Sequence, residues 1–497
     1  MQSRTIKIVT NGVSQLFDLF TRLSQQIIIV PILLLNWKVE VYSSWLTSNA
    51  IAGFFSLFSA GLISYLASAA HIAWTREEYE RAERATQTTG FALVCLCLVG
   101  IGASLFLLFW YSSTVVVLST SAIIWIWAGF FGALYRMADM YSRGLLTANG
   151  VLLIQTIALG VTVSAGGDIS MASWTQLATS AAGILYMFFD MRRLLPGFSL
   201  MPRVPSAQEI KFLLKQCPVY FSFSIGSIAF IHTPILLLGI AGAANQSVVE
   251  FSLVRTISGV IRQVCGQLGL SFGTELARLR ALRDTEAFST LLHTSVRILS
   301  ALNGVLAGAL ASFGMDVVDL WTKGAVRPDF CLLLVFSISP LLTVTGNITA
   351  IVLSFAGMPA DVGRAYVLQT LLVVTVGIGA ALTGGALSMA LAVSLAEVVS
   401  MGGFLGAVGS MHLIASPVRS MSSSLLVATI GFLLSYSLGA LAVSISARLF
   451  ASQAIAGLVI WSPFAVILIA MLGLNRRSRA AAFRYLLNEL KAWRRLG

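Results

Sequence analysis

Charged side chains are scarce in this sequence. They make up 10% of its 497 residues, whereas a soluble protein carries about a quarter. Hydrophobic residues make up 57%, and apolar runs of about 20 residues alternate with short polar loops. The shorter alternating segments of a membrane β-barrel do not occur. The composition excludes an ordinary soluble domain and predicts an all-α polytopic membrane protein.

The residue patterns of catalytic and metal centres are also missing. The 5 cysteines have no CxxC spacing, the 4 histidines have no HExxH spacing, and no GxxxxGK[ST] loop occurs. We therefore expect no disulfide or zinc framework, no metal or other cofactor, and no enzymatic activity. The net charge of +12 would suggest nucleic-acid binding in a soluble chain. Here lysine and arginine collect in alternate loops, as the positive-inside rule requires, so no nucleic-acid partner is expected.

Fourteen apolar segments are long enough to cross a bilayer as helices. They cover residues 13–35, 42–70, 88–110, 113–135, 147–166, 172–190, 217–240, 247–272, 290–313, 329–355, 364–383, 385–408, 422–447 and 454–473. An even number of spans puts both termini on one side of the membrane. With cytoplasmic termini, the outer loops hold only Lys38, Lys323, Arg327 and Arg448. This distribution predicts that both termini are cytoplasmic.

Two related halves are predicted on either side of a proline-containing connection. Residues 1–190 hold six spans, and residues 217–410 hold six more. Residues 191–216 form a cytoplasmic linker with Pro196, Pro202 and Pro205. Residues 411–475 add spans 13 and 14, and residues 476–497 form a basic tail. Paired six-helix lobes are typical of transporters that bind substrate between the lobes near the bilayer midplane.

Two arginines lie at membrane depth in the eighth span, within residues 248–282. Arg255 and Arg262 are seven residues apart, which is nearly two helical turns, so both lie on one face. Small and polar residues continue that face, and aliphatic residues form the opposite stripe. A charge at this depth costs a few kcal/mol or more, so it usually faces a bundle interior or a watery cavity. We expect this helix to form one wall of a basic, substrate-binding cavity.

A polar face in the first span holds Asp18 and Arg22, one turn apart. The two side chains either pair with each other near the cytoplasmic end or line the cavity. In the second case Arg22 joins Arg255 and Arg262 in binding an anionic substrate, for which guanidinium groups are well shaped, and Asp18 is a candidate for ion coupling.

Glu397 is a lone acid near the middle of span twelve. An acid at that depth is costly unless it is protonated or paired. It is therefore either an ion-coupling or proton-relay site, or the structural partner of an arginine such as Arg364 or Arg297.

Short stretches spread along the chain resemble one family of membrane proteins. They are EFSLVRTISG at 250–259 followed by ELARL at 275–279, EVYSSW at 40–45, and DLWT at 319–322. Their order and spacing resemble those of polysaccharide and O-antigen flippases, which belong to the MOP (multidrug/oligosaccharidyl-lipid/polysaccharide) exporter superfamily. Ser43 stands where that family often has glycine. The resemblance covers nearly the whole chain and implies a MATE/MOP-like fold with two pseudo-symmetric lobes and an added C-terminal helix pair.

The resemblance implies an alternating-access flippase of a bacterial cytoplasmic (inner) membrane. Its substrate would be a polyprenyl-diphosphate-linked oligosaccharide used for cell-surface polysaccharide or lipopolysaccharide synthesis, and Arg255 and Arg262 would belong to the cationic cavity. Expected partners are this glycolipid, membrane lipids, a monovalent cation or proton, and polysaccharide polymerase machinery. Two alternatives from the same superfamily stay open, a cation-coupled multidrug antiporter and a lipid II flippase. The short outer loops argue against a membrane glycosyltransferase or polymerase.

Overall fold

The computed structural model describes residues 2–109, 111–355, 359–408, 417–449 and 453–473. The basic tail predicted at 476–497 lies outside these ranges. Every regular element within them is a helix. The helices are α1 (Gln2–Asn36), α2 (Val39–Phe55), α3 (Leu57–Thr75), α4 (Tyr79–Phe106), α5 (Ser113–Met137), α6 (Tyr141–Ser164), α7 (Ile169–Leu194), α8 (Ala207–Ile240), α9 (Asn245–Ala281), α10 (Thr285–Trp321), α11 (Phe330–Phe355), α12 (Pro359–Leu382), α13 (Ala386–Glu397), a π-helix (Val398–Leu405), α14 (Pro417–Leu449) and α15 (Gln453–Gly473).

The predicted all-α membrane class is confirmed, since all fourteen predicted spans fall on helices. Among the described residues, 10 helices are long and apolar enough to cross a membrane. The predicted span at 42–70 is divided into α2 and α3 at Ser56. The Ser56 hydroxyl donates to the Gly53 carbonyl at 2.6 Å, and such local bonds compete with regular helical hydrogen bonding.

The chain divides into two compact units. Unit 1 comprises Met1–Ser252, Trp321–Ala325 and Thr370–Gly385, and unit 2 comprises Leu253–Leu320, Val326–Gln369 and Ala386–Gly497. These limits differ from those of the six-helix lobes at 1–190 and 217–410, which stay a prediction.

Unit 1 has an apolar core between α3, α4, α5, α6 and α7, in which Leu66, Leu93, Leu134 and Met187 are almost fully buried. Helices α1 and α6 also pack together. A Cβ at Gly160 of α6 would lie 3.4 Å from Cδ1 of Ile32 in α1. Close helix approach at small residues is common in membrane bundles because it maximises dispersion contacts.

A buried polar cluster joins three helices of unit 1. Arg143 of α6 donates to Asp190 of α7 through both Nη2 (2.6 Å) and Nε (3.1 Å). The Tyr135 hydroxyl of α5 donates to the same carboxylate at 2.5 Å. Bidentate arginine–carboxylate pairs are among the stronger polar contacts, so this cluster fixes the ends of α5, α6 and α7 relative to one another.

The predicted linker at 191–216 is shorter than expected, because α7 continues to Leu194 and α8 begins at Ala207. Part of the remaining connection packs on α3 and α4. The Ser199 amide donates to Glu83 Oε1 of α4 at 3.2 Å, and the Phe198 ring lies 5.9 Å from that of Trp74 of α3. The connection therefore passes the end of α3 and the start of α4 before α8 begins.

In unit 2, α14 and α15 pack directly against α10. A Cβ at Gly308 of α10 would lie 2.5 Å from the Phe432 carbonyl of α14. Ser435 of α14 donates to the Val305 carbonyl at 2.7 Å and accepts from the Trp461 indole of α15 at 3.2 Å. The described part of the C-terminal pair predicted at 411–475 is thus held against α10 by hydrogen bonds and by close contact at glycine.

Candidate functional site

Helix α9 carries both arginines of the eighth predicted span on one face. Its 37 residues extend over about 55 Å, which is longer than the hydrocarbon core of a bilayer. Arg255 and Arg262 lie in unit 2, and both are partly buried. The seven-residue spacing separates their Cα atoms by about 10 Å along the helix.

Glu397 of α13 is the direct partner of Arg262. The Arg262 Nη2 and Glu397 Oε2 atoms are 3.2 Å apart, and the Glu397 side chain is only 5% exposed. The Ser339 hydroxyl of α11 donates to the same carboxylate oxygen at 2.9 Å. Arg255 lies within electrostatic range of both Arg262 and Glu397. Three helices that are distant in sequence therefore meet at one carboxylate.

The backbone changes its winding immediately after Glu397. Residues Val398–Leu405 form a π-helix, which is rare and often found at functional sites. Helix α11 packs very closely on this segment. A Cβ at Gly346 would collide with the Met401 carbonyl, and a Cβ at Gly402 would lie 2.6 Å from the Leu342 carbonyl. The two glycines allow the close approach that brings Ser339 to Glu397.

Helix α12 adds polar side chains to the same site. Val362 packs in one apolar cluster with Met401, and one turn further along α12 Tyr366 lies within electrostatic range of Glu397. Gln369 lies three residues after Tyr366 on α12, and Ser394 lies three residues before Glu397 on α13. Among the described residues, Gln369 Oε1 and Ser394 Oγ are buried and have no hydrogen-bond partner. Uncompensated buried polar atoms are costly, so these two oxygens are candidates for binding water or an ion.

The site is rich in arginine. Arg255 and Arg262 bring two guanidinium groups into electrostatic range of the Glu397 carboxylate. Such a cluster can bind an anion through Arg255, and it can release Arg262 for the same anion once Glu397 is neutralised. Guanidinium groups suit phosphate oxygens because they offer several donors in a fixed plane.

The other predicted site residues lie in unit 1. Arg22 Nε donates to both carboxylate oxygens of Asp18, at 2.9 and 3.0 Å. The Arg22 side chain is 56% exposed, and that of Asp18 is 14% exposed. The pairing across one turn is therefore present, and the roles of Arg22 in substrate binding and Asp18 in ion coupling stay predictions.

The arginine that pairs with Glu397 was not among those considered from the sequence. Arg364 instead binds Asp361 at 2.9 Å, and Arg297 donates to the Leu472 carbonyl at 2.6 Å, at the end of α15. The sequence did not predict Ser339, Tyr366, Gln369 or Ser394 as part of the site. A signal for Ser339 was available, because a serine immediately before a proline inside an apolar span marks a helix break with a polar side chain next to it.

No protein-family model matches the chain, and no curated protein matches it. Solved structures do share its fold. One is the inward-facing conformation of a multidrug resistance MATE family transporter of the MOP superfamily, with a TM-score of 0.62 and 15% identity over 81% of this chain and 96% of that one. Another is the lipid II flippase MurJ in an inward closed conformation, with a TM-score of 0.59 and 12% identity over 92% of this chain and 98% of that one. An outward-facing MATE transporter of the MOP superfamily matches with a TM-score of 0.53 and 13% identity over 84% of this chain and 96% of that one.

Proposed function

We propose that this protein is an alternating-access flippase. It would move a polyprenyl-diphosphate-linked oligosaccharide from the inner to the outer leaflet of a bacterial cytoplasmic membrane for cell-surface polysaccharide synthesis. The observation that carries the proposal is the Arg255–Arg262–Glu397 cluster inside unit 2. The MATE/MurJ-like fold and the resemblance of residues 250–259 to flippases support it.

In the proposed mechanism, Glu397 and the substrate diphosphate compete for Arg262. Without substrate, the carboxylate neutralises Arg262 and lowers the cost of holding a charge at membrane depth. A proton or a monovalent cation that neutralises Glu397 releases Arg262. The freed guanidinium then binds the diphosphate together with Arg255. Ion binding and substrate binding are thereby linked, because neutralising Glu397 favours binding of the diphosphate at Arg262.

The ion would reach Glu397 along the α12–α13 face. Tyr366 lies within electrostatic range of Glu397. Gln369 follows Tyr366 by three residues and Ser394 precedes Glu397 by three, and their buried oxygens have no hydrogen-bond partner within the described part of the chain. A chain of hydroxyl and amide oxygens can hold water next to a buried acid. This route accounts for polar atoms that have no structural partner.

Two alternative functions use the same residues differently. A lipid II flippase would bind the same diphosphate chemistry on a different glycan, and the MurJ neighbour is the observation that favours it. A multidrug antiporter would bind cationic compounds at Glu397, and the MATE neighbours favour it. The two arginines of the cluster argue against a cationic substrate, because like charges repel.

A substrate panel in proteoliposomes tests the proposal. The purified full chain is reconstituted, and leaflet exchange is followed for a fluorescent polyprenyl-diphosphate oligosaccharide and for fluorescent lipid II, while uptake is followed for a cationic dye. Each substrate is measured with and without an imposed proton or sodium gradient. We expect gradient-dependent exchange of the diphosphate oligosaccharide above that in empty liposomes. Exchange of lipid II alone, or uptake of the dye alone, would replace the proposal with the corresponding alternative.

A further inference from the structure

Pro31, Pro340 and Pro463 lie inside α1, α11 and α15, where they interrupt backbone hydrogen bonding. Proline has no N–H, so the carbonyl four residues earlier loses its usual helical donor. In each of the three cases another group donates to that carbonyl. The pairs are Trp321 to the Ile27 carbonyl before Pro31 (2.7 Å), Ser258 to the Phe336 carbonyl before Pro340 (3.0 Å), and Ser462 to the Val459 carbonyl before Pro463 (3.1 Å).

Two of these breaks have the same local sequence, but a different group donates to the unpaired carbonyl in each. Serine precedes proline in both Ser339-Pro340 and Ser462-Pro463. In α15, Ser462 turns back to the carbonyl of its own helix, three residues earlier. In α11 the equivalent acceptor for Ser339 is the Phe336 carbonyl. Ser339 instead donates to Glu397 at 2.9 Å, and Ser258 of α9 donates to Phe336.

The donor on α9 lies directly between the two arginines. Ser258 is three residues after Arg255 and four before Arg262, so all three share one helical face. Its side chain is fully buried. Three contacts link α9, α11 and α13 in a closed ring. Ser258 of α9 donates to the Phe336 carbonyl of α11, and Ser339 of α11 donates to Glu397 of α13. Glu397 in turn pairs with Arg262 of α9.

We propose that Ser258 is a positioning residue of this site: by donating to the Phe336 carbonyl, it releases Ser339 to hold Glu397 against Arg262. Without the Ser258 hydroxyl, Ser339 turns back to Phe336, as Ser462 does in α15, and Glu397 loses its hydrogen bond. The inference deepens the proposed function, because it concerns the same carboxylate, and it is tested by a readout that needs no substrate.

The readout is the reaction of Glu397 with a hydrophobic carbodiimide, dicyclohexylcarbodiimide. This reagent adds to a protonated carboxyl group inside a membrane, and mass spectrometry of the digested protein locates the adduct. The reaction is run at one fixed pH on the full chain in lipid nanodiscs. A carboxyl group that has lost a hydrogen bond to a neighbouring side chain reacts faster with the carbodiimide. Labelling at Asp190 of unit 1, which has its own arginine partner, reports any general loosening of the structure.

We expect Ser258→Ala to raise the rate of Glu397 labelling about three- to tenfold, which is the range for loss of a single hydrogen bond. Ser258→Thr retains a hydroxyl and should restore the original rate. Ser337→Ala is the matched control, because Ser337 is a buried serine of α11 that donates within its own helix, to Leu333 at 2.7 Å. It should leave labelling of Glu397 unchanged.

Two double variants separate this role from a general effect on packing. Ser339→Ala should raise labelling as much as Ser258→Ala, and the double variant should equal either single one. Pro340→Ala restores an N–H for the Phe336 carbonyl. In a protein that carries Pro340→Ala, adding Ser258→Ala should therefore change the rate of Glu397 labelling only slightly. Equal labelling in wild type and Ser258→Ala, additive effects of the two serine variants, or a parallel rise at Asp190 would each overturn the inference. None of these outcomes depends on whether the protein is a flippase.

Discussion

At the scale of single residues, the proposed function depends on one ion pair inside the membrane, between Arg262 and Glu397. Arg262 and Glu397 were each identified from the sequence because a charge in an apolar span is costly. The sequence did not predict that the two residues pair, because the pairing depends on how α9 packs on α13. The residue spacing within one helix gives no information about its contact with the other helix. Ser339 was missed for the same reason, since its partner is set by the contact between α11 and α13.

Removing the Glu397 charge should destabilise the protein. The Glu397→Gln variant leaves Arg262 partly buried without its carboxylate, and breaking such a pair costs more than losing an exposed one. We expect a loss of about 2–3 kcal/mol, measured as a lower thermal unfolding midpoint in nanodiscs. Asp361→Asn is the control, because the Arg364 that Asp361 binds is exposed, and it should cost less than about 1 kcal/mol. Equal effects of the two variants would contradict the buried role of Glu397.

The Asp190 carboxylate should be important for the stability of unit 1. It accepts two bonds from Arg143 and one from Tyr135, so Asp190→Ala leaves the buried Tyr135 hydroxyl without its acceptor and the half-exposed Arg143 to water. We expect a loss of about 1–3 kcal/mol from thermal or denaturant unfolding. Tyr135→Phe removes only one of the three bonds and should cost about 1 kcal/mol. A larger cost for Tyr135→Phe than for Asp190→Ala would show that the arginine contributes little.

At the scale of helices, the sequence predicted where the spans lie better than how their backbones deviate. Apolar length identifies a span because every backbone polar group in lipid must be bonded within the helix. The break at Ser56, with its local bond to the Gly53 carbonyl, and the π-helix at Val398–Leu405 were not predicted, because apolar length carries no signal for either. Glycine spacing gave a partial signal: the pair Gly304 and Gly308 marks the side of α10 that packs on α14.

The α11–π-helix contact should not tolerate a methyl group. The Gly346→Ala variant places its Cβ against the Met401 backbone carbonyl, which cannot rotate away as a side chain can. We expect a strong loss of folded protein, or displacement of Ser339 from Glu397 with faster carbodiimide labelling. Gly379→Ala on α12 is the control, because no atom lies within 4 Å of its Cβ position. It should be neutral or slightly stabilising. A well-folded Gly346→Ala protein with unchanged labelling would contradict this packing.

The start of α8 should respond to pH. Outside the predicted spans, Ser206 and Glu209 form a capping box, and the Ser206 amide donates to Glu209 Oε2 at 2.7 Å. This backbone bond, with the Ser206 hydroxyl, lowers the pKa of Glu209 below its ordinary value of 4.5. The stabilisation is therefore complete above that ordinary value and is lost as pH falls through the lowered pKa. Amide exchange at 206–209, after correction for intrinsic rates, should accelerate in acid and lose this dependence in Glu209→Gln.

At the scale of the whole molecule, composition alone was enough to predict the fold class. Low charge and repeated apolar runs leave few arrangements other than a helical bundle. The fold shared with MATE transporters and MurJ agrees with the resemblance seen in residues 250–259 and 319–322. Substrate identity does not follow from the fold, because one fold hosts many functions and specificity depends on a few side chains. The two arginines of the Arg255–Arg262–Glu397 cluster are therefore the basis for proposing an anionic substrate.

The most direct test of this assignment is leaflet exchange of a fluorescent polyprenyl-diphosphate oligosaccharide in proteoliposomes that hold equal amounts of wild type, Arg262→Ala or Arg364→Ala. Arg364 is an exposed arginine of the same unit that pairs with Asp361, so it controls for the loss of one positive charge. The account predicts gradient-dependent exchange by wild type and Arg364→Ala, and exchange at the level of empty liposomes for Arg262→Ala. Exchange by a well-folded Arg262→Ala protein at the wild-type rate would contradict the central role of this arginine.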